Sequence, residues 1–236
     1  MITGVLAPSS GDVIVNGYSV VKNLDLVRKD LGLCHQHDVL FDLLTVREHL
    51  EMTCELKDVA YASVTDEIEE ILHLTLLKRH ENKLVKELSG GMKRKLSLGL
   101  SLVGKPSVII LDEPTSGLDV DSRRQVWALI KKMKVGRAII MSTQHIEEAD
   151  ELAEQVCIMA NGKVVVLDTP QNIKHKYGVG YTLIVEQLEN NRQDLSKELD
   201  EIVPRVIKGA IKHTKDANNL GDQSDLNKRL LYMLPF

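Results

Sequence analysis

The sequence predicts an α/β protein on a mostly parallel sheet, with a helical insert and a small α+β appendage at its C-terminal end. Three observations carry this expectation. Short continuous apolar runs, Leu31-Gly32-Leu33-Cys34, Val108-Ile109-Ile110-Leu111 and Ala138-Ile139-Ile140-Met141-Ser142, alternate with segments of helical spacing, and alternating strands and helices imply a parallel sheet. Runs without polar interruption are those of strands covered on both faces. The apolar fraction is 43% of 236 residues, enough for one domain with a real core plus an appendage.

Taken in order, residues 1–6 are apolar and stop at Pro8-Ser9-Ser10-Gly11, which reads as the last turn of a helix. Val13-Ile14-Val15 runs into Asn16-Gly17, a two-residue hairpin signal. The strand at 31–34 ends in a polar loop, His35-Gln36-His37-Asp38. From Thr45 helical spacing dominates. Thr45 and Glu48 make a capping-box pattern, Val46, Leu50 and Cys54 share one face, and Val64, Ile68, Ile71 and Leu72 repeat on the next helix. A further helix runs from Ser89 to about Val103, completing an insert at about 45–104. After the strand at 108–111 come a helix at 121–134, a strand at 138–142, a helix at 147–154 and a second hairpin around Asn161-Gly162. The character changes after Pro170. A strand at 182–185, a charged stretch, a helix at 203–211, a polar loop at 216–225 and a last apolar segment place a small domain at 178–236, after a first domain at 1–177.

Aromatic residues are only 3%, so Leu, Ile and Val fill the core. A net charge of −4 with both signs interspersed gives no basis for nucleic-acid binding. The three cysteines, Cys34, Cys54 and Cys157, are too widely spaced for a disulfide framework or a metal motif, which fits a reducing, intracellular setting. No apolar run reaches the roughly 18 residues of a membrane span, and the start lacks the charged and apolar regions of a signal peptide. The expectation is a soluble chain that meets a membrane through a partner or a further region.

Two segments bear chemistry. Val108-Ile109-Ile110-Leu111 ends in Asp112-Glu113-Pro114, which places two carboxylates at the C-terminal edge of a sheet, where open α/β folds bind ligands. The first suits a magnesium ion and the second an attacking water; taken alone, the pair reads equally as a polar turn after a strand. Leu88-Ser89-Gly90-Gly91-Met92 opens a helix. Its glycines let backbone approach an anion that the helix N-terminus favours, and its plain alternative is a flexible turn with a serine cap. Gln36 and the Gln144-His145 pair follow strands directly; each by itself is an ordinary loop or structural residue.

In sequence order the set is far more specific. Gln36, 88–92, 109–114, 116–119 and 142–150 resemble the nucleotide-binding domain of ATP-binding-cassette transporters, over residues 1 to about 176. Leu88-Ser89-Gly90-Gly91-Met92 resembles the signature, Leu111-Asp112-Glu113-Pro114 the Walker B strand, Ser116-Gly117-Leu118-Asp119 the D-loop and Gln36 the Q-loop glutamine. The segments 33–41, 91–97 and 176–181 are similar to those of the eukaryotic A subfamily, the lipid exporters, in which a small regulatory domain follows each nucleotide-binding domain; 178–236 matches that place.

The resemblance implies a P-loop NTPase-like sheet, ATP and Mg²⁺ as cofactors, a second nucleotide-binding domain and transmembrane domains as partners, and a place on the cytoplasmic face of a membrane. It implies roles too: Glu113 and Gln144 in catalysis, Asp112 and Gln36 toward magnesium, and Gln36, Ser89, Gly90, Gly91 and Asp119 toward nucleotide. The signature residues would act on ATP held by the partner domain.

Three departures stand against it. No Gly-x-x-x-x-Gly-Lys-Ser/Thr loop occurs in the sequence, so the expectation is a domain without its first strands and phosphate loop. Gln144 stands where the family has its switch histidine, with His145 one residue later, and His35 replaces a proline. These leave two further expectations beside an ATP hydrolase that drives lipid transport: a non-catalytic or regulatory module that lends its signature to a partner's site, or an incomplete gene product whose true sequence extends upstream.

Overall fold

A parallel three-stranded sheet, β3 (Leu31–Cys34), β4 (Val108–Asp112) and β5 (Ala138–Ser142), centres the first of two units in the computed structural model. The structure describes residues 1–178, 181–186, 196–207, 211–212 and 229–234. Its two compact units are Met1–Ala153 and Glu154–Phe236. None of its described helices is long and apolar enough to cross a membrane.

In the first unit a hairpin, β1 (Ile14–Val15) and β2 (Tyr18–Ser19), turns at Asn16-Gly17, where both residues take positive φ, the geometry this dipeptide favours. Helix α1 (Leu24–Lys29) leads into β3. Residues 1–6 form a reverse turn closed by Gly4 N–H on the Met1 carbonyl, not a helix end; Gly4 sits at φ +71°, which breaks helical geometry.

The helical segment holds α2 (Val46–Leu56), α3 (Tyr61–Leu74) and α4 (Gly90–Leu100). Thr45 and Glu48 close the capping box on α2 reciprocally. Val46, Leu50 and Cys54 are fully buried, as are Ile68, Ile71 and Leu72 on α3. Helix α5 (Val120–Met133) follows β4, and α6 (Ile146–Leu152) follows β5.

The register explains the core. Gly32, Ile109 and Ile139 lie abreast, and so do Cys34, Leu111 and Met141; this face packs under α2–α5. On the opposite face Val108 packs with the small cluster of Val15, Val20 and Val27. That cluster does not extend under β5, whose Ile140 is 47% exposed. The expected two-sided burial therefore fails at β5.

In the second unit β6 (Val156–Ala160) and β7 (Lys163–Asp168) form the hairpin at Asn161-Gly162, followed by α7 (Pro170–Tyr177), β8 (Tyr181–Glu186), α8 (Ser196–Val206), β9 (Ile211–Lys212) and β10 (Arg229–Leu234). Strand β10 lies between β8 and β9, antiparallel to both. The division at 153/154 precedes the 177/178 boundary read from sequence because β6 bonds to β7 rather than to β5. The helix expected at 203–211 lies instead at Ser196–Val206, with Pro204 inside it and β9 beginning at Ile211. The polar loop expected at 216–225 lies outside the described residues.

Candidate nucleotide site

Three parallel strands deliver the site residues to one edge. Cys34 pairs with Leu111, and Asp112 with Ser142, so Gln36, Asp112-Glu113 and Gln144 all follow the C-terminal ends of neighbouring strands. In an open α/β sheet that edge is where ligands bind.

Asp112 is exposed, and its Oδ1 accepts from Ser142 Oγ at 2.5 Å. Glu113 N–H donates to both the carbonyl and the hydroxyl of Ser142, at 3.1 Å each. Glu113 takes φ +45°, a left-handed conformation that costs a non-glycine residue and gathers at functional turns. Its Oε2 is buried and has no hydrogen-bond partner among the described residues. A buried carboxylate oxygen in that state is short of a proton donor, a deficit that calls for an explanation such as a catalytic role or a bound water. The exposed side chain of Gln36 makes no hydrogen bond among the described residues, and neither does that of Gln144.

Ser89 caps α4, its Oγ accepting from Met92 N–H at 3.3 Å; the hydroxyl proton remains for another acceptor. Ser89 and Gly90 are exposed, and Gly91 is half-buried. A Cβ on Gly91 would lie 2.9 Å from Ser122 Oγ. Asp119 caps α5 by accepting from Ser122 N–H at 2.9 Å, and the Ser122 hydroxyl, followed by that N–H, holds its carboxyl below the usual range. The starts of α4 and α5 are therefore adjacent, bringing Gly91 and Asp119 into one neighbourhood through Ser122.

Sequence reasoning missed two residues. The first is Arg94, 3% exposed. Its guanidinium donates to the carbonyls of Pro114 (2.6 Å), His35 (2.6 Å), Gln36 (3.2 Å), Asp112 (3.0 Å) and Glu113 (3.0 Å), and to Asp38 Oδ1 at 3.2 Å. Arg94 and Ser97 on the buried side of α4, with Ser101 at its C-cap, make a polar stripe at helical spacing that could have signalled it. The second is Glu148, wholly buried on α6. It accepts from Trp127 Nε1 at 3.0 Å and Thr143 Oγ1 at 2.6 Å, and Thr143 Oγ1 takes His145 N–H at 3.0 Å. His145 is thereby held as the extended residue before α6, one position past Gln144.

No group of three or more His, Cys, Asp or Glu among the described residues is arranged for a metal. Asp112 and Gln36 offer hard oxygen donors beside each other's strands. That donor set fits Mg²⁺, which is held by one or two protein oxygens, waters and substrate phosphates rather than by a protein cage.

A family model described as "ABC transporter" matches residues 1–116. Phospholipid-transporting ATPase ABCA3 of Homo sapiens is 40% identical over 207 residues, covering 87% of this chain and 12% of that protein. Retinal-specific phospholipid-transporting ATPase ABCA4 of Homo sapiens is 44% identical over 191 residues, 80% of this chain and 8% of that protein. ATP-binding cassette sub-family A member 2 of Rattus norvegicus is 43% identical over 183 residues, 78% and 8%. The chain thus spans about a tenth of the length of these relatives. A solved structure described as an ATP binding subunit of an ABC transporter aligns with a TM-score of 0.65 at 25% identity, over 75% of this chain and 74% of that one.

Proposed function

The chain belongs to the ATP-binding domains of ABC transporters, similar to A-subfamily members, and we propose that it binds and hydrolyses ATP to drive phospholipid across a membrane. The observation that carries this is Glu113, whose buried Oε2 stands without a partner among the described residues, beside the exposed Asp112. Asp112 and Gln36 would hold Mg²⁺, which supplies charge neutralisation at the transferring phosphoryl group. Glu113 accepts a proton from the attacking water. Ser89, Gly90 and Gly91, exposed or half-buried at the positive end of α4, donate toward the nucleotide of a second ATP-binding domain. Asp119, capping the adjacent α5, links that surface to the Walker B strand. Transmembrane domains are the other partners, and the cytoplasmic face of a membrane is the proposed location. Residues 178–236, after a boundary at 177/178, are proposed as a regulatory module.

A second reading is favoured by Gln144, whose amide hydrogen-bonds a phosphate or water but cannot take up a further proton and its charge. It is a non-catalytic module that lends Ser89–Gly91 to a partner's site. One experiment separates the two: Mg-ATP turnover and phospholipid movement by the natively expressed protein in vesicles, with variants edited into its own gene. Glu113→Gln is expected to lower turnover about 10²-fold or more. Turnover that survives Glu113→Gln but is lost in Gly90→Asp supports the module. Turnover indifferent to both variants overturns both readings.

A further inference from the structure

We infer that Arg94 is a positioning residue that clamps the Gln36 loop and the Asp112-Glu113 turn to the helix beginning at Ser89, so that the chain's own carboxylates and the turn it presents to a second domain move as one body. The inference rests on reading Glu113 as the group that takes the water's proton.

The acceptors carry the argument. The guanidinium has five N–H groups, and all five are used on two short segments, 35–38 and 112–114. Each segment follows a strand end and carries a residue of the site. A buried arginine that served only packing or charge balance would not need to satisfy two successive carbonyls on one segment and three on the other. Asp38 offsets the charge at 3.2 Å and is itself held by Ser97 Oγ at 2.8 Å. Both Arg94 and Ser97 lie on α4, so the clamp is anchored twice to one helix.

The geometry sets the direction of coupling. Arg94 lies four residues after Gly90, about 6 Å along the helix axis. A tilt of α4 as Ser89–Gly91 engage a second domain is transmitted to the carbonyls of Asp112 and Glu113. Asp112 ends β4, and Glu113 follows it, at the edge proposed to hold nucleotide. Lysine cannot replace the fork: it has three donors on one nitrogen, against acceptors spread over two segments.

The test uses the natively expressed protein with Arg94→Met, Arg94→Lys and Asp38→Asn. Asp38 lies partly open to solvent, so that variant keeps the test alive if burial makes the Arg94 changes fold poorly. Amide hydrogen exchange in peptides covering 35–38 and 112–116 is expected to rise about tenfold or more in Arg94→Met, with α2 and α3 unchanged. Arg94→Lys is expected not to restore protection, and Asp38→Asn to show a smaller rise confined to the same peptides. Mg-ATP kcat is expected to fall about 10²-fold while KM stays within about twofold. Exchange that rises uniformly over the first unit marks a structural role only and overturns the inference, as does wild-type protection of both loops. If Glu113→Gln leaves turnover intact, the catalytic reading fails and the exchange result alone decides the clamp. If Glu113→Gln abolishes turnover while Arg94→Met preserves kcat, the clamp fails alone.

Discussion

A methyl group at Gly32 would lie 2.1 Å from the carbonyl oxygen of Ser101 and 3.1 Å from Pro106 Cγ. The first neighbour is backbone at the end of α4 and cannot rotate away. Gly32 faces the main core between Ile109 on β4 and the helices above it, so the strand lies as close to α4 as a backbone can. Gly32→Ala therefore forces β3 and α4 apart and is expected to destabilise the first unit by about 3 kcal/mol or more. The check is the urea midpoint, which falls with an unchanged slope if only stability has changed; a midpoint at the wild-type value contradicts the close approach. The sequence Leu31-Gly32-Leu33-Cys34 announces a strand, but nothing local announces this contact, whose partner is 69 positions away in the chain. The contacts that Arg94 makes were hidden for the same reason. Its partners are carbonyls, which every residue possesses, so no motif marks them. Asp112, Glu113, Ser89 and Asp119 were legible because their chemistry is local: a strand end, or a cap next to its own helix.

At the scale of the element, the junction of β7 and α7 shows how one carboxylate ties two pieces together. Asp168 ends β7 and accepts from Thr169 N–H at 2.8 Å, Asn172 Nδ2 at 2.6 Å and Lys176 Nζ at 2.7 Å. The Lys176 bond, followed by those of Asn172 and Thr169, lowers the Asp168 pKa from 3.8 to about 2. A depressed folded-state pKa means a contribution fully present above the unfolded value and lost as pH falls through the folded one. The packing of α7 on β7 is thus expected to weaken between about pH 4 and pH 2, modestly, because the Asp168 side chain is still partly in contact with solvent. In Asp168→Asn that acid dependence should be absent. An NMR titration of the Asp168 carboxyl carbon is expected to give a midpoint near 2, and a midpoint near 3.8 would refute the arrangement. Helix α7 also carries its own start signals, the Thr169 cap and Pro170 in the first turn, though sequence reasoning took that stretch only as a change of character. Helices α2, α4 and α5 each begin with a side-chain cap, and α3 was legible from its apolar period alone. Helix α8 was misplaced because its apolar residues cluster at its end, whereas the charged residues from Ser196 onward are themselves helical. The burial of β5 was illegible for a different reason: an apolar run does not say which of its faces another element will cover.

At the scale of the molecule, uncovered apolar surface sets how the 236-residue chain behaves in solution. Among the described strands β5 bonds only to β4, leaving an open edge whose backbone groups can pair with another chain. The side chain of Ile140 stands 47% exposed on the uncovered face of that strand. A free edge beside exposed apolar side chains is the combination that natural sheets block with charge or bulges. Strand β5 itself, Ala138-Ile139-Ile140-Met141-Ser142, contains neither charge nor proline. A net charge of −4 spread over both units gives only weak repulsion against such contacts. The chain is therefore expected to self-associate reversibly as concentration rises, through β5 in the first unit. A lysine at position 140 places a charge on the exposed face of the edge strand without touching the core side, where Ile139 and Met141 pack. Ile140→Lys should accordingly keep the wild-type thermal transition while lowering the weight-average mass measured by light scattering across a concentration series. A lysine variant that associates as the wild type does would remove β5 as the contact. If it instead loses the thermal transition, Ile140 belongs to the core and the one-sided burial of β5 is wrong. The two outcomes differ in observable, so the edge and the core accounts of this strand cannot be confused.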